Sequence, residues 1–215
     1  LSDAAVRSLL KELEIPVGNR RGLIAALGRT KSKLAVRPLI DLLADANPDT
    51  RAAAADALGE LGATEAANAL KTLLQEPMPM VRFAASAALY RMKDPAGLPY
   101  LREVARDEHA SVRIGAAQAL MSTPDAAALA LVRELLTAQD PEVRRQAAEL
   151  LAPHDPEGAR AVLEPLTQDP NPAEREAATM SFVRATTDPA TLRRQLHSNG
   201  EIRVRAAIRL LELTR

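Results

Sequence analysis

Arginine supplies the most regular chemistry in this chain. Arg20, Arg51, Arg82, Arg113, Arg144 and Arg175 recur at a spacing of 31 residues. Six residues before most of them stands an acid: Glu14, Asp45, Glu76, Asp107 and Asp169. The same position holds Ala138 before Arg144. It holds His197 before Arg203, the anchor of a seventh copy that follows a loop shortened by three residues, with Arg205 as an alternative anchor. A guanidinium carries donors in a rigid fork, so it can give paired hydrogen bonds to a carboxylate or to turn carbonyls. Such a row could grip an anion, or it could tie adjacent repeats together. The fixed offset of the acid favours a structural ladder: Arg51, Arg82, Arg113, Arg144 and Arg175 with Asp45, Glu76, Asp107 and Asp169.

Other reactive groups are sparse. The histidines are His109, His154 and His197, and the chain has no cysteine, so thiolate chemistry and disulfides are absent. His109 takes the place held elsewhere by Asn47, Asp140 and Asn171, which predicts a helix-capping role. No histidine is paired with an aspartate across repeats to activate a serine, and no glycine loop has phosphate-cradling spacing. The acidic pair Asp107–Glu108 lies beside Arg106 and reads as solvated turn charge. The expectation is a protein that is not an enzyme, with no catalytic residue, no cofactor and no metal.

The elements that carry the arginines are helices. "TRAAAADALGEL" (Thr50–Leu61) returns as "VRFAASAALYRM" (Val81–Met92), "VRIGAAQALMST" (Val112–Thr123) and "VRRQAAELLAPH" (Val143–His154). A fixed period of this length marks a solenoid. A second helical segment precedes each arginine-bearing one: Ser32–Ala44, Glu65–Gln75, Ala96–Arg106, Asp125–Ala138, Glu157–Gln168 and Ala190–His197. An opening helix spans Asp3–Leu13. Prolines follow cap residues at Asn47–Pro48, Asp94–Pro95, Thr123–Pro124, Asp140–Pro141, Asp155–Pro156, Asn171–Pro172 and Asp188–Pro189, the order in which a cap oxygen precedes proline at the first helical position. Gly28, Gly59 and Gly62 are expected to close helices by adopting positive φ. Residues one before and three, six and seven after each arginine are mostly apolar or small, such as Val81, Ala85, Ala88 and Leu89. The alanines let helices stack on both sides of the arginine helix. The fold expected is all-α, an α-solenoid of about seven helix pairs, with residues 1–215 as one domain.

The pattern Asp-x-x-x-x-Val-Arg-x-x-Ala-Ala-x-Ala-Leu-Gly, clearest in "DANPDTRAAAADALG" and "ARDEHASVRIGAAQAL", resembles HEAT repeats of the short bacterial, phycobilisome-lyase-like kind. The resemblance runs along nearly the whole chain. It implies an armadillo-like right-handed superhelix whose second helices line a concave face, and a role in binding proteins. The chain departs from the pattern in the loss of the closing glycine after the second full copy, in Ala138, and in a sixth copy with Met180 and Phe182.

By that analogy, residues one, five and eight after each arginine face the groove. The middle copies place Phe83, Tyr90, Ile114 and Met121 there, with Gln118 among them. Asp56 and Arg21 flank them on one side, and Arg145, Glu149 and Glu176 on the other. An apolar centre inside a charged rim is the layout of a protein-binding hot spot; the alternative is that the helices bury these side chains against one another. The formal net charge is zero and the groove signs are mixed, which disfavours nucleic acid. No apolar run reaches the roughly 20 residues of a membrane helix. The chain starts at Leu1 rather than Met, as a processed or excised segment does. The expected role is a monomeric, soluble and preferentially cytoplasmic scaffold that binds another protein or peptide. The alternative is an accessory domain or subunit of an enzyme, for example bilin-lyase-like.

Overall fold

A computed structural model describes residues 3–13, 20–107, 109–197 and 200–213. Among them lie fourteen α-helices and no strand. In order these are α1 (Asp3–Leu13), α2 (Arg20–Arg29), α3 (Val36–Asp41), α4 (Pro48–Leu61), α5 (Ala67–Leu73), α6 (Pro79–Arg91), α7 (Leu98–Val104), α8 (Ala110–Leu120), α9 (Ala126–Glu134), α10 (Pro141–Leu151), α11 (Pro156–Leu166), α12 (Pro172–Ala185), α13 (Pro189–Gln195) and α14 (Gly200–Leu213). Taken in sequence they make the expected helix pairs. The first helices of several pairs are extended by short 3-10 turns: Lys33–Ala35 and Leu42–Ala44 bracket α3, Thr64–Ala66 and Pro95–Gly97 lead into α5 and α7, and Leu135–Thr137 follows α9. The chain divides into two compact units, Leu1–Val104 and Ala105–Arg215.

In the first unit the second helices stack in chain order. α4 packs between α2 and α6, and α3 and α5 lie against α4 and α6. Alanine makes this possible: Ala54, Ala55, Ala57, Ala85 and Ala88 are buried, so the helix axes approach closely. The leucine seven residues after each arginine fills the space behind them, and Leu27, Leu58 and Leu89 are fully buried. In the second unit α10 packs on α8, α9, α11 and α12, and α12 on α14. Leu120, Leu151 and Phe182 take the leucine position and are buried in turn. Val112 departs from its expected core role: at the start of the unit's first helix it is 36% exposed.

The helix starts follow the cap pattern, with one shift. Asn47, Asp94, Asp140, Asp155, Asn171 and Asp188 each accept a backbone N–H within the first turn. Before α9 the cap is Asp125, whose carboxylate accepts the Ala128 N–H, so Pro124 precedes the cap instead of following it. His109 sits at the N-cap of α8 without a side-chain cap bond. Its ring meets the Asp107 carboxylate at 2.9 Å instead.

The helix ends correct the expected role of glycine. Gly62 does adopt a left-handed φ of 67°. Gly28 and Gly59 do not; they lie within α2 and α4. A Cβ on Gly28 would stand 2.8 Å from the Ala57 Cα, and one on Gly59 2.8 Å from the Ala88 Cα. These glycines permit neighbouring backbones to touch. The left-handed closing position lies three residues after Gly28 and Gly59 and recurs as Lys31, Gly62 and Lys93, with φ of 58°, 67° and 62°. At Lys93 the turn closes with Asp94 N–H donating to Leu89 O and Lys93 N–H to Tyr90 O, each at 2.9 Å, the paired bonds of a Schellman motif. The turn therefore survives the loss of glycine in the third copy.

Candidate functional site

The register arginines bind carbonyls. Arg51 Nη1 donates to the oxygens of Asp45 at 2.8 Å and Ala46 at 3.1 Å. Arg82 repeats this with Glu76 and Pro77, Arg144 with Ala138 and Gln139, and Arg175 with Asp169 and Pro170. Arg113 donates to the Asp107 oxygen at 2.7 Å. Each guanidinium closes the end of the preceding first helix, where carbonyls lack intrahelical donors. The acid at the fixed offset contributes its backbone oxygen to this contact, so Ala138 serves as well as an aspartate. The carboxylates do other work. Asp45, Asp107 and Asp169 accept the N–H two residues on, which shapes the turn. In the first unit a carboxylate also receives the arginine of the preceding layer: Arg20 reaches Asp45 at 3.4 Å, and Arg51 reaches Glu76 at 3.0 Å. Glu14 and Glu108 lie outside the described residues.

The face expected to bind a partner is built differently from the sequence reading. On α2 and α4 the residue eight after the arginine, Gly28 and Gly59, is contact surface between successive second helices. Tyr90 is 6% exposed and counts among the buried hydrophobic side chains. Its burial corrects its place in an open apolar patch, and the Pro95–Gly97 turn lies against this part of α6. Phe83 on α6 is half-buried. In the second unit Ile114 and Met121 are half-buried and Gln118 is exposed. Arg145 and Glu149 form a network between α10 and α12, not an open rim. Arg145 makes paired bonds to Glu142 and donates to the Ser181 hydroxyl at 2.8 Å, and that hydroxyl donates to Glu149 at 3.1 Å. Arg184 of α12 pairs with the other Glu149 oxygen at 3.1 Å. Ser181 is fully buried, so the network is enclosed on that side.

An open groove lies on the second helices of the first unit. Ala25, Ala53 and Ala57 floor it, and Arg21, Asp56, Glu60 and Arg91 rim it, around a volume of about 330 Å³. The small floor side chains leave the space, and the charged rim keeps it wet. Asp56 and Glu60 stand four residues apart on α4, hence on one face. Asp56 keeps contact with solvent at the groove mouth, yet the surrounding helices remove enough water to push its carboxyl pKa up. Arg91 and Arg21 oppose that rise, and Glu60 adds to it. The position nine after the arginine, which supplies Glu60 and Arg91 to this rim, was not singled out in the sequence; the signal was a recurrent charge one turn beyond the expected face.

Elsewhere, hydrogen bonds hold carboxylates below their usual range. Lys71 and the Ala96 N–H do this for Asp94, and the Thr191 hydroxyl and backbone N–H groups for Asp188. Among the described residues no group of three or more histidine or acidic side chains is placed to hold a metal ion. No described helix is long and apolar enough to cross a membrane.

Comparison with known proteins agrees with this architecture. The sequence matches the family described as HEAT repeats over residues 6–90, 36–121, 73–152 and 130–212. No curated protein matches it. The fold is similar to the complex of CpcE and CpcF of phycocyanin lyase from Nostoc sp. PCC7120, at 19% identity and a TM-score of 0.57, covering 97% of this chain and 94% of that one. It is similar to YibA of E. coli, at 23% identity and a TM-score of 0.55, covering 98% and 82%. An engineered protein aligns at 22% identity and a TM-score of 0.50, covering 83% and 95%. Repeated helix pairs, the arginine ladder and the family match along the chain lead to one conclusion: this chain belongs to the HEAT-repeat family.

Proposed function

We propose that the chain is a non-enzymatic scaffold that binds another protein or peptide through its second helices. The observation that carries this reading is the groove of the first unit, where Arg21, Asp56, Glu60 and Arg91 surround an alanine floor. Both signs of charge at a shallow, accessible groove suit a polypeptide, which offers charged side chains and backbone dipoles together. A polyanion would meet Asp56 and Glu60 there. The partner of the phycocyanin lyase subunit CpcE is itself a protein, CpcF, and the shared fold supports the same kind of use here.

The test is affinity capture with the intact chain and with the Asp56→Lys, Arg91→Glu double variant. A partner retained by the first and lost by the second, with unchanged helical circular dichroism, supports the groove. Equal retention by both removes it. The fold shared with phycocyanin lyase subunits also supports a second reading, an accessory subunit of an enzyme, bilin-lyase-like. Titration with a bilin decides between them: a saturable absorbance change favours the enzyme role.

A further inference from the structure

The groove of the first unit carries its charges in an order. Arg21 stands on α2, Asp56 and Glu60 on α4, and Arg91 on α6. Across the stacked second helices the signs run plus, minus, plus. Two of these charges are seated by glycine. Glu60 Oε2 lies 3.1 Å from the point where a Cβ on Gly28 would stand, and Arg91 Nη1 lies 2.8 Å from the same point on Gly59. Each glycine leaves room for the charged side chain that the next second helix extends back across it. Arg91 Nη1 also donates to the Asp56 backbone oxygen at 3.5 Å. That contact takes the guanidinium to backbone, and Asp56 and Glu60 both stay exposed.

Second helices that meet through glycine and alanine lie at the near end of the roughly 8–10 Å range for packed helices. An extended chain presents alternate side chains on one face about 6.5–7 Å apart. Glutamate and lysine side chains are long enough to take up the difference. Residues i, i+2 and i+4 of an extended segment laid across α2, α4 and α6 therefore fall in register with the three signs. The floor of Ala25, Ala53 and Ala57 offers apolar contact to the methylene stem of a central lysine, whose ammonium then reaches the two carboxylates. Residues 1–215 contain no acid-x-base-x-acid pentad, so they do not supply such a segment to a second copy.

We propose that this groove recognises an extended partner segment of the order acid-x-lysine-x-acid, its acids meeting Arg21 and Arg91 and its lysine meeting Asp56 and Glu60. The proposal rests on the groove reading above and narrows it to one charge order.

The probe is an end-capped peptide, Ser-Glu-Ser-Lys-Ser-Glu-Ser, titrated at low salt against the full chain and followed by NMR. One control reverses the order, Ser-Lys-Ser-Glu-Ser-Lys-Ser. Another is the probe with its lysine acetylated, which keeps the stem and removes the charge. A third, Ser-Glu-Ser-Lys-Ser-Lys-Ser, replaces one acid. The probe should bind saturably and about tenfold or more tightly than the reversed or acetylated peptide, since like charges brought together are costly. Arg91→Glu should reverse the preference between the probe and the third control. Arg21→Glu, at an exposed position, should do the same and serves if the half-buried Arg91 does not tolerate exchange. Absence of probe binding at millimolar peptide overturns the proposal, while the groove reading is decided by capture with its own double variant. Equal binding of both charge orders, lost in the Asp56→Lys, Arg91→Glu variant, overturns the charge order and keeps the groove. Probe binding that this variant retains overturns both.

Discussion

At the scale of single residues, the register arginines act on backbone oxygens, and this sets what substitutions should do. Arg113→Ala leaves the Asp107 carbonyl without its guanidinium donor and should cost about 1.5–3 kcal/mol, the range for hydrogen bonds to a charged group. Asp107→Asn should change stability little, because an amide oxygen can still accept the His109 N–H. Urea denaturation of the two variants checks this, and a larger loss from Asp107→Asn would show that the carboxylate matters more than the carbonyl. Asp56 predicts a pH dependence of the opposite kind to a paired carboxylate. Its folded-state pKa is raised by burial among helices, so the folded state holds the proton more tightly and stability falls as pH rises through the folded pKa. Asp56→Asn should therefore raise the melting temperature at neutral pH. The gain should vanish below pH about 4, where the aspartate is protonated in both states. Asp94 has the reverse sign: its lowered pKa contributes stability above the unfolded value that is lost as pH falls through the folded one.

At the scale of elements, small residues decide how closely second helices pack, and caps decide where they start and stop. Gly59→Ala shows the competition. Alanine gains about 1 kcal/mol of helix propensity, but its Cβ would stand 2.8 Å from backbone of α6, and overpacking costs typically 1–3 kcal/mol. The net change should be destabilising. Lys93→Gly should do the opposite, by about 1 kcal/mol, since a non-glycine residue in the left-handed region carries a steric penalty. Thermal melts of both variants separate the two uses of glycine. The caps Asn47, Asp140 and Asn171 could be read from the residues because a cap is local: a side-chain oxygen and an N–H two or three residues on. Gly28 and Gly59 could not, because the atom each must admit belongs to a helix about thirty residues away.

At the scale of the molecule, a repeat protein draws its stability from each layer and its neighbours. Leu89 is fully buried where α6 meets its neighbours, and Leu89→Ala should cost roughly 2–5 kcal/mol. Hydrogen exchange should show protection lost mainly within Leu1–Val104, the unit that holds it. Uniform loss of protection along the chain would instead show that the layers unfold as one. The groove of the first unit and the α10–α12 network of the second use equivalent helix positions for different ends. In the first unit Asp56 looks onto alanine and open space; in the second Glu149 meets a buried serine and two arginines.

The sequence alone determined the period, the all-α class, the helix pairs and most caps, because these depend on spacing and on contacts within a few residues. It also marked which positions recur. Only the tertiary structure decided what each recurrent position touches. It turned Tyr90 into core, Arg145 and Glu149 into an interhelix clamp, and, of the two kinds of partner open to the ladder arginines, made turn carbonyls the recurrent one. The reason is physical: a one-dimensional repeat repeats the side chain, whereas burial and pairing depend on what the adjacent layer presents, and adjacent layers here are not alike.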